Sequence, residues 1–159
     1  MKGHAELAQA VEALKPPLRH FVRESHVRIA LVINSAGQVL GQHGFARSYE
    51  VMNVASLAAA INAASHALAE LTNAPYWEHL HHAGQERQIF IAPLHTAAEE
   101  LIVVAIFDAD SSLGLVQLFQ DQFARTVRLL PEFRGVAATT REQFEQDLAA
   151  GLRFLSAEQ

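Results

Sequence analysis

The chain has 159 residues, with 12 Lys and Arg against 17 Asp and Glu, nine His and no Cys. That length suits one domain with a short appendage, and the acidic balance argues against a general nucleic-acid binder. Half the residues are apolar and 18% are charged, which excludes a disordered chain; the lack of Cys excludes disulfides, thiolate zinc sites and cysteine nucleophiles.

The N-terminus, MKGHAELAQAVEALK, is amphipathic and lacks the basic-then-apolar pattern of a secretory leader. Residues 5–25 carry Leu7, Ala10, Val11 and Leu14 at helical spacing, continued by Leu18, Phe21 and Val22. Pro16-Pro17 interrupts the run, so a helix ending near Lys15 and a second from Pro17, or a sharp kink, is expected. Residues 27–33 (VRIALVI) read as a strand. Asn34-Ser35-Ala36-Gly37 supplies turn chemistry, and Gln38 to His43 returns as the second strand of a hairpin.

Residues 50–72 form the longest helical segment. Val54, Leu57, Ile61, Ala64, Leu68 and Leu71 make one apolar seam, expected to lie on the sheet. Asn73-Ala74-Pro75 ends it. Trp77 to Ala83 and Arg87 to Leu94 flank Gly84-Gln85-Glu86 and read as a second hairpin. Leu101 to Phe107 is apolar on both faces, as a central strand covered on both sides would be. That run, the longest near-apolar one, is far short of the about 20 residues of a membrane span. A cytoplasmic protein without a membrane span is therefore expected.

Asp110-Ser111-Ser112 offers caps for a helix 113–130 whose buried stripe is Leu113, Val116, Phe119, Phe123, Val127 and Leu130. Residues 131–138 read as a linker. Thr139-x-x-Glu142 starts a tail helix, 140–155, bearing Phe144, Leu148, Leu152 and Leu155. The expected division is a domain over 1–131 and a linker with tail helix over 132–159. The fold class is α+β in the order α-β-β-α-β-β-β-α: a five-stranded, mainly antiparallel sheet with helices on both faces.

Three features could carry chemistry. His79 and His81 share a strand face and could hold a metal with a third ligand such as Glu78 or His95; a solvated polar hairpin explains them more simply. Asp108 and Asp110, with Glu99 and Glu100, could serve acid–base work or bind Mg²⁺; Asp110 is more simply a helix cap. No GxSxG and no P-loop occur, and Lys2 and Lys15 are the only lysines, so the chain is not itself a P-loop NTPase. The third feature is a second face on the long helix, made of Ser56, Ala59, Ala60, Ala63 and Ala67. Between Asn53 and Leu71 the one charged residue is Glu70. A helix uncharged all round is normally covered all round. One sheet covers the seam, and a second chain is needed for the alanines.

The stretch from Ile29 to Phe119 resembles the Roadblock family, named for the dynein light chain. The resemblance rests on LVINSAGQVL (31–40), VASLAAAINAASHALAEL (54–71) and above all VVAIFDADSSLGLVQLF (103–119). It implies a profilin-like α-β-β-α-β-β-β-α sandwich. It also implies a homodimer whose third strands pair and whose long helices lie side by side. Ala64, Trp77, His79 and His81 then fall at the dimer seam. Members bind small Ras-like GTPases, and those of bacterial polarity type stimulate GTP hydrolysis by reshaping the GTPase's own switch regions. On that resemblance Ser56, Ala59, Ala60, Ala63 and Ala67 face the GTPase. The resemblance further implies a chain with no active site of its own and no need of a cofactor or metal, and an arginine finger from Arg47 or Arg87 is not expected. Two alternatives remain: a dimeric scaffold that docks a GTPase or polarity partner without activating it, and a His-rich metal or ligand sensor.

Overall fold

The computed structural model describes residues 3–45 and 47–135, together with 146, 148, 149 and 153. Its elements are α1 (His4–Ser25), β1 (Ile29–Asn34), β2 (Val39–His43), α2 (Ser48–Leu71), β3 (Leu80–Ala83), β4 (Gln88–His95), β5 (Glu100–Phe107), α3 (Leu113–Leu129) and a 3-10 turn (Pro131–Phe133). The strands form one antiparallel sheet in the order β2-β1-β5-β4-β3. The two-sided apolar run is β5, at the centre as expected. Leu101, Val103 and Ala105 join the core under α1 and α3, while Ile102 and Val104 join the core under α2. The α+β sandwich with helices on both faces is thus the observed architecture.

The β1–β2 turn follows its side chains. Asn34 Oδ1 accepts from the amides of Ala36 (3.1 Å) and Gln38 (2.9 Å). Gly37 sits at φ +82, a left-handed conformation that glycine adopts without steric cost. At the start of α3, Ser112 rather than Asp110 is the cap, its hydroxyl accepting from the Leu115 amide at 3.2 Å. Val116, Phe123 and Val127 are buried, and Leu113, Phe119 and Leu130 pack at the margin, as the expected stripe requires.

Four expectations change. α1 runs unbroken through Pro16 and Pro17. Neither ring offers an N–H to the carbonyl four residues back. The cost is offset by tertiary packing, because Ala10, Leu14, Leu18 and Phe21 on both sides of the prolines are buried. The third strand starts at Leu80, not Trp77. In the observed register Leu80 faces Ile91, so Glu78 would face Pro93. Proline has no N–H to extend the ladder at that point.

The segment after α3 is packed: Phe133 is fully buried in the α1–α3 core. The remainder of the expected linker and the tail helix 140–155 lie outside the described residues, save that 146, 148, 149 and 153 are helical.

The largest change is the rotation of α2. Val51, Ala55, Ala58, Asn62 and Ala69 face the sheet, whereas Leu57, Leu68 and Leu71 of the expected seam are exposed by 64%, 62% and 82%. By length and composition, α2 from Glu50 to Leu71 is also apolar enough to cross a bilayer, with 22% of that stretch buried. Its packing on β1, β4 and β5 makes it one layer of this domain.

Candidate functional surface

α2 lies on the sheet through small side chains. Alanine at 55 and 58 lets the helix approach β1 and β5 closely, and a Cβ added at Gly37 in the turn would stand 3.8 Å from Ala59 Cβ. The larger apolar residues are then left outside. At 100° per residue the outward half of the helix divides into two flanks. One carries Leu57, Ala64 and Leu68, with half-buried Ile61 at its margin. The other carries Ser56, Ala60, Ala63 and Ala67, all exposed. Ala59, the fifth expected residue of that stripe, is half-buried against the sheet-facing core. Met52 adds a further exposed apolar side chain, 68% accessible, near the N-terminal end. An uncharged helix face of this extent is unusual for a protein that stays alone in water.

A polar clasp fixes the helix from the other side. Glu100 accepts from Asn62 Nδ2 at 2.8 Å and lies 3.1 Å from His66 Nε2 and 3.2 Å from His95 Nδ1. His66 packs edge-on to Trp77. The composition of α2 carries a signal for this clasp: Asn62 is a polar residue in an otherwise apolar inward stripe. Its long-range partner Glu100 is not readable from spacing.

The histidines expected to share a face do so. His79 stacks on Phe90 and His81 on Phe107, both on the α3 side of the sheet. Their polar atoms turn to amides rather than to each other: Gln117 Nε2 lies 3.1 Å from His79, and Gln88 Oε1 lies 2.7 Å from His81. Among the described residues no three ligating side chains gather into a site that could hold a metal. Trp77 is half-buried against the α2-side core, so it and the two histidines lie on opposite faces near the same sheet edge.

The carboxylates at the end of β5 are structural in arrangement. Arg28 Nε donates to Asp108 at 2.8 Å, and its Nη2 donates to Asp110 at 2.5 Å. The Asp110 amide donates to Asp108 Oδ1 at 3.0 Å, and Ser111 Oγ donates to the Ser25 carbonyl. That amide first, then the Arg28 guanidinium, holds the Asp108 carboxyl below its usual range. A carboxyl lowered on folding adds stability above its unfolded pKa, and the gain is lost as pH falls through the folded value. The stability gap between wild type and Arg28→Ala should therefore be constant above about pH 5 and shrink below about pH 4. Chemical denaturation across that range checks it.

A family model described as the Roadblock/LC7 domain matches residues 18–106. Among curated proteins none matches the chain. Solved structures do. MglB of Myxococcus xanthus superposes with a TM-score of 0.68 at 20% identity, covering 80% of this chain and 90% of that one. The gliding protein MglB of Thermus thermophilus gives 0.65 at 24% identity, covering 80% and 91%. An MglB with a tetrameric arrangement gives 0.61 at 27% identity, covering 80% and 90%.

Proposed function

Because the chain belongs to the Roadblock/LC7 domain family, we propose that it is a homodimeric, cytoplasmic regulator that binds a small Ras-like GTPase and stimulates GTP hydrolysis. The observation that carries this reading is the bare outer half of α2, split into a large-residue flank and a small-residue flank. The two flanks suit two different neighbours. Leu57, Ala64 and Leu68 offer bulky apolar area for the same helix of a second copy. Ser56, Ala60, Ala63 and Ala67, with half-buried Ala59 at their edge, offer a smooth track on which a second backbone can lie close. Three of the solved structures it resembles are of MglB proteins, one described in a tetrameric arrangement, and this supports self-association.

A regulator of this kind needs no catalytic side chain. Phosphoryl transfer is largely positioning and electrostatic stabilisation. A surface that binds the competent state of the GTPase's own loops more tightly than the idle state raises the rate by population shift. Arg47 and Arg87 are exposed, and replacing each with alanine should leave the stimulated rate within about twofold, where loss of an arginine finger costs about 10³-fold or more. Single-turnover hydrolysis with each variant separates these outcomes.

The dimer rests on the other flank. Ala64→Arg should place two like charges in a helix pair and turn the dimer into a monomer, with the domain still folded. Sedimentation equilibrium with circular dichroism reads both. A variant that remains dimeric removes the large-residue flank from the self-contact. The scaffold reading shares this surface and differs in one result: binding without any change in hydrolysis rate.

A further inference from the structure

Between α3 and the outer edge of β4 lies a cavity of about 540 Å³, a size typical of small-molecule sites. It exists because β3 begins late. Leu80 is the first residue paired with β4, opposite Ile91, so the edge of β4 beyond that point has no strand beside it. The preceding stretch, Tyr76 to His79, lines the cavity instead of pairing, and Ala124 on α3 offers only a methyl group to fill the gap.

Gln120 is the polar member of the buried stripe of α3, and it lines this cavity. It is 7% exposed, and among the described residues nothing hydrogen-bonds its amide. A buried amide without a partner is destabilising, where leucine in the same place would not be. That cost falls where the helix meets the cavity, which points to an occupant that pairs with the amide.

Four charged side chains line the same cavity: Arg125 and Arg128, Asp121 and Glu78. Asp121 and Arg125 stand four residues apart on α3, acid first, the order that favours an ion pair. Among the described residues no ion pair joins any of the four. Arg128 Nε donates to the His95 carbonyl at 2.9 Å, which anchors the guanidinium and leaves its Nη groups without a partner. Gln117 and His79 satisfy each other, with Nε2 atoms 3.1 Å apart. An amide, two guanidiniums and two carboxylates thus line the cavity with bonding capacity to spare, and their charges cancel. A simple anion or cation meets as much repulsion there as attraction, whereas a zwitterion is attracted at both ends.

We propose that this cavity binds a small zwitterion that also carries an amide. Its carboxylate pairs with Arg125 and Arg128, its ammonium with Asp121 and Glu78, and its amide with Gln120. Two sources share that chemistry: a free amino acid with a side-chain amide, and a dipeptide whose amide is the peptide bond. The site lies on the α3 side of the sheet and does not rest on the GTPase reading.

Calorimetric titration of the full chain with L-glutamine and with alanyl-alanine tests the proposal and tells the two sources apart. Saturable binding of at least one, at millimolar concentration or below, is expected. L-Methionine, of similar length without the amide, and glutaramate, which keeps carboxylate and amide but lacks the ammonium, should each bind about tenfold more weakly or worse. Gln120→Leu should weaken binding by about tenfold, and should raise the melting temperature of the free protein because the unpaired amide is gone. Arg125→Gln, at an exposed position, should cause a similar loss without touching the core. Ala60→Arg, on the other side of the sheet, should leave binding unchanged. Failure of both ligands to bind, which would leave the cavity to water, overturns the proposal. So does equal binding of methionine or glutaramate, or binding that survives Gln120→Leu or Arg125→Gln. Loss of binding in Ala60→Arg would place the ligand on α2 and overturn it as well.

Discussion

Ala60→Arg should abolish binding of the GTPase while leaving the domain folded and dimeric. Ala60 stands near the centre of the outer half of α2, among Ser56, Ala63 and Ala67, and is exposed. A methyl group there lets a partner's backbone approach to van der Waals contact. A guanidinium on a long stem fills that space and must be desolvated without a counter-charge, which costs about 3–5 kcal/mol. That is at least a ~100-fold rise in Kd. In the unbound protein the new side chain extends into water, and arginine suits a helix surface, so the melting temperature should shift by no more than about 2 °C. Calorimetric titration with the GTPase, alongside a thermal melt, reads both. A variant that unfolds would indicate that Ala60 packs within the chain. A folded variant that binds normally would move the docking surface elsewhere.

Phe133→Ala should destabilise the domain by about 3–5 kcal/mol, as removal of a fully enclosed phenyl ring does. For a chain of this size that is a fall of roughly 10 °C in melting temperature. Phe133 is fully buried in the same cluster as Leu14, Phe21 and Val127, so its ring closes the floor of the α1–α3 layer. A residue in a solvated linker would change stability by well under about 0.5 kcal/mol on the same substitution. Denaturant unfolding of the two proteins separates these outcomes. The slope with denaturant should stay the same, because the surface exposed on unfolding is nearly unchanged.

The sequence was most informative where periodicity and polarity agree. α3 shows this: apolar residues at 116, 123 and 127 fall on one side and Gln122, Arg125 and Arg128 on the other, and the expected stripe is the buried one. β5 was legible for a different reason, since an unbroken apolar run of strand length has no solvated face to offer.

α2 was misread because its polarity gives no direction. With apolar residues nearly all round, the 3.6-residue period marks several stripes of equal standing, and bulk alone pointed to the leucines. Geometry chose the alanines. Small side chains at 55 and 58 let the helix lie close to β1 and β5, and Asn62 finds the carboxylate of Glu100. The small-residue face chosen as the docking surface was nevertheless left outside at Ser56, Ala60, Ala63 and Ala67.

The other differences have equally local causes. Pro93 limits β3 from across the ladder, a long-range effect that a strand's own residues do not encode. Pro16 and Pro17 fail to break α1 because buried side chains before and after them hold both halves against the sheet. The Arg28 contacts to Asp108 and Asp110 join residues 80 and 82 positions apart, beyond the reach of any spacing rule.

The central claim is that an uncharged helix face of this domain controls a GTPase without supplying a catalytic group. Single-turnover GTP hydrolysis by the small Ras-like GTPase of the same cell tests it, timed alone, with the wild-type chain and with Ala60→Arg. The account predicts acceleration by the wild type and the unassisted rate with Ala60→Arg. Equal acceleration by both proteins, or none by the wild type, would contradict it.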